Sequence, residues 1–124
     1  MRQVGNRGEA VVVVWLQTQQ CQVLAQNWAC PWGELDIIAC DLQGVVRFVE
    51  VKTRRSRNWD SDGLGAISPS KQRKLILAAQ AFLESQPQWQ DHPCRFDVAL
   101  VRYQAGAYRL HRYLEHAFTL DCTP

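Results

Sequence analysis

The sequence predicts a single α/β domain in which one β-sheet carries helices packed against it. Three observations favour this class. The 124 residues are 47% apolar and 21% charged, which suits a globular domain with its own core. Two β-rich runs are joined by a short connection that contains a glycine, as in a hairpin. A segment with clear helix-start and helix-stop residues follows, and another β-rich run comes after it. We expect one domain over residues 1–124.

The first element, over residues 6–20, is ambiguous. The run of four valines at residues 11–14 has a high propensity for β-structure. The small and acidic residues before it and the glutamines after it also suit a helix that is buried on more than one side. Periodicity alone does not decide between a strand and a helix here.

The remaining elements follow from β propensity and from helix-boundary residues. Ser68 can cap a helix and Pro69 suits its first position, while Pro87 ends the segment. Residues 53–68 predict an exposed polar loop, and a short helical tail is expected after the last strand. Strands are predicted at residues 23–28, 34–40, 45–52, 95–102 and 108–113.

The register of the hairpin decides whether its charged residues share one face. A three-residue loop at residues 42–44, with Gly44 in the left-handed conformation, places facing residues on the same side of the sheet. That side is apolar near the loop and ionic further away. A two-residue loop would instead scatter the charges over both faces. The facing pairs of the three-residue loop are Cys40 with Val46, Ile38 with Phe48, Asp36 with Glu50, and Glu34 with Lys52.

Asp36 and Glu50 are the candidates for chemistry, because facing residues have Cβ atoms roughly 5 Å apart. Two carboxylates about 4 Å apart repel by roughly 4 kcal/mol at an effective dielectric of 20. A shared proton, the ammonium of Lys52 or a divalent cation could relieve this repulsion, and hard oxygen ligands suit Mg²⁺ or Mn²⁺. Beside a cation, Lys52 could orient or deprotonate an attacking water. The pattern indicates metal-assisted phosphodiester hydrolysis, and the alternative is a solvated strand edge.

Four motifs, at residues 5–10, 33–39, 48–54 and 95–98, resemble those of the YraN family of small bacterial proteins. That family is similar to proteins of the restriction-endonuclease-like, or PD-(D/E)xK, fold and especially to archaeal Holliday junction resolvases. The resemblance covers about residues 4–102. It implies a restriction-endonuclease-like core of order αβββαβ, with a mixed sheet that contains an antiparallel strand meander and is flanked by helices. The ambiguous first element is then a helix.

The resemblance also implies roles for individual residues. Asp36 and Glu50 correspond to metal-binding acids, with the backbone carbonyl of Val51 as a further ligand. Lys52 corresponds to the catalytic lysine. Glu9 corresponds to an acid on the first helix that completes the site. Glu34 corresponds to an accessory acid of the family. Asp97 also matches an acid of the family, and we expect it to be a hydrogen-bond partner rather than a ligand.

Basic residues next to these motifs predict contact with a phosphate backbone. Eleven of the 14 basic residues are arginines, which bind phosphate with a planar fork. The alternative is a solvated charged surface. The candidates on the loop and on the second helix are Arg54, Arg55, Arg57, Lys71, Gln72, Arg73 and Lys74. Trp15, Trp28 and Trp32 are assigned to the core rather than to base stacking.

The resulting hypothesis is a Mg²⁺- or Mn²⁺-dependent endonuclease that cleaves DNA, with branched or structured DNA favoured by the resemblance. A non-catalytic nucleic-acid-binding protein is the alternative, and RNA stays open as a substrate. A homodimer is expected because a four-way junction offers two symmetric strands. No apolar run is long enough to span a bilayer, and five cysteines without a CxxC pair suit reduced thiols. We therefore expect a cytoplasmic protein without a membrane partner.

Overall fold

The computed structural model describes residues 3–55 and 67–118, which form a five-stranded sheet with a helix on each face. The strand order is β1-β2-β3-β4-β5, with β3 and β4 parallel and the other neighbours antiparallel. The elements are helix α1 (Gln3–Thr18), strands β1 (Gln22–Cys30), β2 (Gly33–Cys40) and β3 (Val46–Arg54), helix α2 (Pro69–Ser85), a 3-10 turn (Pro87–Trp89), and strands β4 (Cys94–Gln104) and β5 (Ala107–Phe118). The predicted α/β class, the mixed sheet and the order αβββαβ are confirmed.

Two of the predictions for the connections need correction. The predicted helical tail is wrong for residues 114–118, because Leu114 and Phe118 pair with Val98 and Phe96 and extend strand β5. The predicted loop over residues 53–68 can be compared with the structure only at its two ends. Residues 53 and 54 still belong to β3, Ile67 is buried, and residues 56–66 lie outside the described residues.

Helix α1 forms despite its run of valines because helical spacing buries one side of it. Val12 and Leu16, one helical turn apart, are fully buried, whereas Val14 between them is 60% exposed. A side chain on Gly8 would collide with Thr53 Oγ1, so glycine allows α1 to approach β3 closely. Burial against the sheet thus outweighs the β propensity of the valines.

The two faces of the sheet carry two separate cores, which we call the α1 face and the α2 face. The α1 face is covered by α1, whose Val12 and Leu16 pack on Ile37, Ala39, Val49, Ala99 and Val101. The α2 face is covered by α2, whose buried Leu75, Ile76, Ala78, Ala79 and Phe82 pack on Leu35, Ile38, Phe48, Phe96, Val98 and Leu100. Along β3 and β4, even-numbered core residues therefore lie on the α2 face and odd-numbered ones on the α1 face.

The hairpin between β2 and β3 has the predicted three-residue loop. Gly44 has a φ of 81°, and the N–H of Asp41 donates to the carbonyl of Val45 at 3.1 Å. The predicted register is confirmed over four pairs, from Cys40 with Val46 to Ile37 with Val49.

Helix α2 begins as predicted. Ser68 accepts a hydrogen bond from the N–H of Lys71 at 3.1 Å, and Pro69 occupies the first helical position. Among the described residues, Cys21, Cys30, Cys40 and Cys94 are free thiols. Neither described helix is long and apolar enough to cross a membrane.

Candidate active site

The candidate site lies where strands β2 and β3 separate. Their paired register ends at Ile37 and Val49, so the predicted pairs of Asp36 with Glu50 and of Glu34 with Lys52 do not form as rungs of the ladder. The reason lies in β2, where both Leu35 and Ile38 pack into the core of the α2 face, so the alternation of faces is broken between them. Oδ2 of Asp36 instead accepts the backbone N–H of Val51 at 2.9 Å.

The carboxyl groups of Asp36 and Glu50, which we call the carboxylate pair, interact although they are not ladder partners. Both residues are buried, with exposed fractions of 8% and 6%. Burial, followed by the negative charge of Asp36 and a hydrogen bond with it, raises the pKa of Glu50 to about 8. The structure therefore brings together the two acids that the sequence singles out, by a different geometry.

Two lysines approach the same oxygen of Glu50. Nζ of Lys52 lies 3.9 Å from Oε2, and Nζ of Lys71 lies 3.7 Å from it. Both ammonium groups act to lower the pKa of Glu50, against the larger effects of burial and Asp36. The other oxygen, Oε1, is buried and accepts no hydrogen bond within the described part of the chain. Lys71 was predicted only as a phosphate contact. A cation is disfavoured in the first turn of a helix by the helix dipole, and the ion pair with Glu50 offsets this cost.

The donor atoms suit a hard divalent cation. Mg²⁺ is commonly bound by one or two carboxylates and keeps several waters. In an extended strand the N–H and C=O of one residue point to the same side, so the Val51 carbonyl faces Asp36, as its N–H does. Within residues 3–55 and 67–118, no three His, Cys, Asp or Glu side chains are grouped to hold a metal ion. At this site the described residues therefore offer two acids and one carbonyl.

The two further acids of the expected set differ in their surroundings. Glu9 is 3% exposed and follows Gly8, the residue of α1 that contacts Thr53 on strand β3. Helix α1 covers the face opposite to α2, and Glu9 does not form a group of three acids with the carboxylate pair. Its catalytic role stays a prediction. Glu34 is half-buried and lines a cleft of about 220 Å³ beside Lys71 and Lys74.

Trp32 lines the same cleft, and its assignment to the core is wrong. Its side chain is 51% exposed, whereas every other Trp, Tyr and Phe that the structure describes is buried or half-buried. Trp15 and Trp28 pack on Tyr113 and Phe82 as expected of core residues. The signal in the sequence was the position of Trp32 between Pro31 and Gly33, in the turn that joins β1 and β2.

The basic residues predicted to bind nucleic acid do not form one surface. Arg54 is exposed and continues the α2 face beyond Glu50 and Lys52. The guanidinium of Arg55 lies 5.4 Å from the ring centre of Tyr103, away from the carboxylate pair. Arg73 and Lys74 are exposed on α2, but the amide of Gln72 donates to the carbonyl of Ile67 at 3.1 Å and so has a structural partner. Arg57 lies outside the described residues.

Asp97 has the structural role that was expected. It is fully buried and accepts hydrogen bonds from the hydroxyl of Tyr113 at 2.6 Å, from Nε of Arg95 at 3.1 Å and from the N–H of His116 at 3.1 Å. Burial, followed by the negative charge of Asp97, raises the pKa of Tyr113. These bonds fasten β4 to β5 and leave Asp97 apart from the carboxylate pair.

Comparison with known proteins places these residues in a family. Residues 8–101 match the model described as "Uncharacterised protein family UPF0102". A UPF0102 protein of Thermosynechococcus vestitus is 84% identical over 121 residues, which cover 98% of each chain. One of Pseudomonas fluorescens is 44% identical over 114 residues, covering 92% of this chain and 91% of the other. Among solved structures, Pyrococcus furiosus SfsA in complex with Ca²⁺ gives a TM-score of 0.37 at 11% identity, covering 83% of this chain and 58% of that one.

Proposed function

The chain belongs to the UPF0102, or YraN, family, and from that premise we propose that it is a divalent-metal-dependent endonuclease that hydrolyses phosphodiester bonds of DNA. One observation carries the proposal. The buried acids Asp36 and Glu50 interact where two strands separate, and Lys52 and Lys71 lie beside them. Two buried carboxyl groups repel one another when both are ionised, so this arrangement favours a bound cation.

The residues that would hold the cation are Asp36, Glu50 and the carbonyl of Val51. A divalent cation bound there would polarise a phosphate and lower the pKa of a bound water. Lys52 stands on the same strand face as Glu50, where its ammonium can orient a water or offset negative charge on the phosphate. Lys71 approaches from α2 and limits the negative charge of the carboxylate pair before a substrate arrives.

DNA is the proposed substrate because phosphate, rather than the base edges, is what this site would contact. Arg54, further along the strand of Glu50, and Lys74, in the cleft with Lys71, add exposed positive charge on the elements that carry the site. The likeness of the YraN family to junction resolvases favours branched or structured DNA, and a homodimer would suit its symmetric strands. RNA carries the same phosphate and is therefore included in the test.

A non-catalytic nucleic-acid-binding protein is the alternative function, and one observation favours it. Lys52 and Lys71 both lie within 4 Å of Oε2 of Glu50, so this acid has positive charge beside it without a metal cation. A protein that had lost cleavage could keep this arrangement as an internal ion cluster.

Cleavage assays separate the two functions. Purified protein is incubated with Mg²⁺ or Mn²⁺ and with four-way junction, flap, single-stranded and duplex DNA, and with RNA of the same sequences. We expect nicking of a structured DNA that is lost with EDTA and in Lys52→Met, while DNA binding by this variant is largely kept. Glu84→Gln, which changes an exposed acid on α2, is the control with unchanged nicking. If no substrate is cut at any metal concentration, the binding protein is the better description.

Metal binding is tested separately from cleavage. We expect Mn²⁺ to raise the melting temperature of the wild-type protein, because a ligand that binds only the folded state stabilises it. Asp36→Asn removes one ligand charge and should abolish this shift, whereas Glu84→Gln should keep it. An equal shift in Asp36→Asn would contradict the ligand assignment.

A further inference from the structure

Three arginines lie in one row across the sheet, on strands β3, β4 and β5. Arg102 of β4 is the parallel partner of Arg54 on β3 and the antiparallel partner of Arg109 on β5. We call Arg54, Arg102 and Arg109 the arginine row. Val98 and Leu100, which precede Arg102 at every second position, pack in the core of the α2 face. The row therefore continues the face that carries Glu50 and Lys52.

Within this row, the facing pair of Arg102 and Arg109 is unfavourable for the free protein. Like charges that face each other directly on neighbouring strands destabilise a sheet. In addition, Nε of Arg102 is buried and has no hydrogen-bond acceptor within the described part of the chain. A buried donor without an acceptor is destabilising. One anion placed between Arg102 and Arg109 would remove both penalties.

There is room for such an anion. Arg102, Gln104, Ala105 and Arg109 line a cleft of about 320 Å³ at the end of β4 and β5. The cleft is shaped by a two-residue hairpin turn, in which Ala105 and Gly106 have φ values of 53° and 79°. It is separate from the carboxylate pair. Arg54 stands four residues beyond Glu50 on β3, a distance of about 13 Å at roughly 3.3 Å per residue.

We propose that Arg102 and Arg109 form a second phosphate-binding site, which holds a backbone phosphate of the nucleic acid away from the phosphate at the carboxylate pair. The proposal extends the proposed function and rests on a nucleic acid being the ligand. Guanidinium groups bind phosphate oxygens with two parallel hydrogen bonds, and Nε of Arg102 would supply one of the donors. A strand that crosses the α2 face would then be held at two points.

The salt dependence of DNA binding tests this site. Binding of fluorescent single-stranded and junction DNA is measured in EDTA over a range of salt concentrations, for wild type, Arg102→Gln and Arg109→Gln. Each lost phosphate contact should weaken binding for all sequences and make the slope of log K against log salt shallower by about 1. Arg7→Gln removes the same charge from an exposed position on α1, and we expect a wild-type slope for it. Wild-type slopes in both cleft variants would overturn the proposal.

Stability gives a second measurement that does not need DNA. Without a ligand, Arg109→Gln should melt at the same temperature as wild type or higher, because it removes a like-charge pair. Added inorganic phosphate should raise the melting temperature of wild type more than that of Arg109→Gln. Equal shifts in the two proteins would contradict an anion site. A wild-type protein that binds no DNA would contradict the proposal that this site holds a phosphate of a nucleic acid.

The outcomes also distinguish this proposal from the proposed function, because neither measurement involves a metal ion or cleavage. Shallower slopes in the cleft variants of a protein that cuts no substrate would support the second phosphate site and contradict the endonuclease. Wild-type slopes in the cleft variants of a protein that does cut DNA would support the endonuclease and contradict the second phosphate site.

Discussion

Nζ of Lys71 lies 3.7 Å from Oε2 of Glu50, so an ion pair joins the first turn of helix α2 to strand β3, which carries Glu50 and Lys52. The two residues are 21 positions apart in the sequence, and only the packing of α2 on the sheet brings them together. Glu50 therefore receives positive charge from its own strand through Lys52 and from a second element through Lys71.

Replacing this second cation should change metal affinity. In Lys71→Met we expect a Mn²⁺ dissociation constant several-fold lower than in wild type, because an ammonium that competes with the cation for Oε2 of Glu50 is gone. DNA binding should weaken at the same time. Melting temperatures over a Mn²⁺ titration measure the first effect, with the exposed Arg73→Gln as the charge-matched control. Weaker Mn²⁺ binding in Lys71→Met would show that this lysine does not compete.

The stability of the metal-free protein should depend on pH through Glu50. Burial, followed by the charge of Asp36, raises the pKa of Glu50 from 4.5 to about 8 in the folded protein. Between these values the unfolded chain has released this proton while the folded chain keeps it, so the free energy of unfolding falls as pH rises. The loss is on the order of a few kcal/mol and is complete above about pH 8.

Urea denaturation in EDTA at pH 5 to 9 measures this dependence. Glu50→Gln carries no titrating group at this position, so its free energy of unfolding should fall much less over the same range. Glu84→Gln, on the exposed surface, should follow wild type. Parallel curves for wild type and Glu50→Gln would mean that Glu50 is ionised in the folded protein.

Two substitutions of Asp36 should have opposite effects on the metal-free protein. Asp36→Asn keeps an oxygen that can accept the N–H of Val51 and removes a negative charge beside Glu50, so its melting temperature should rise above about pH 8, where Glu50 is ionised. Asp36→Ala leaves that N–H without its acceptor, which should lower stability by about 1–3 kcal/mol. Thermal and urea unfolding in EDTA measure both effects. A destabilised Asp36→Asn would show that repulsion within the carboxylate pair is small.

The exposed ring of Trp32 should bind an unpaired base. Its cleft also contains Lys71 and Lys74, which can contact the neighbouring phosphates. Stacking on an aromatic side chain contributes about 1–3 kcal/mol per base. Trp32→Ala should therefore weaken binding of single-stranded DNA much more than binding of duplex DNA, and Trp32→Phe should restore part of it. Leu42→Ala, at an apolar side chain that is 70% exposed in the β2–β3 loop, is the matched control. Equal losses on both kinds of DNA would argue against stacking.

Local patterns were enough to predict much of the fold. Gly44 marked a three-residue loop, and the loop set the register of four pairs in the β2–β3 hairpin. Ser68 and Pro69 marked the start of α2. The run of valines in α1 gave the opposite signal, because its helical state depends on burial against strands that lie far away in the sequence.

The site was only partly predictable because it too depends on contacts between residues that are distant in the sequence. Strict alternation from the loop placed Asp36 opposite Glu50, but the ladder ends one residue earlier and Asp36 bonds to the backbone of β3 instead. The contact of Lys71 with Glu50 depends on helix packing. The pairing of Arg102 with Arg109 requires the register of the β4–β5 hairpin, which no motif of charged residues reveals.

The hydrogen bond from the N–H of Val51 to Oδ2 of Asp36 makes one backbone amide a built-in reporter. Ionisation of the neighbouring Glu50, or coordination of Asp36 to a cation, alters the electron density around the oxygen that accepts this proton. The chemical shift of the Val51 amide and its rate of hydrogen exchange should therefore report both metal binding and the charge of the carboxylate pair. A spectroscopist could titrate the centre of this protein by watching a single peak.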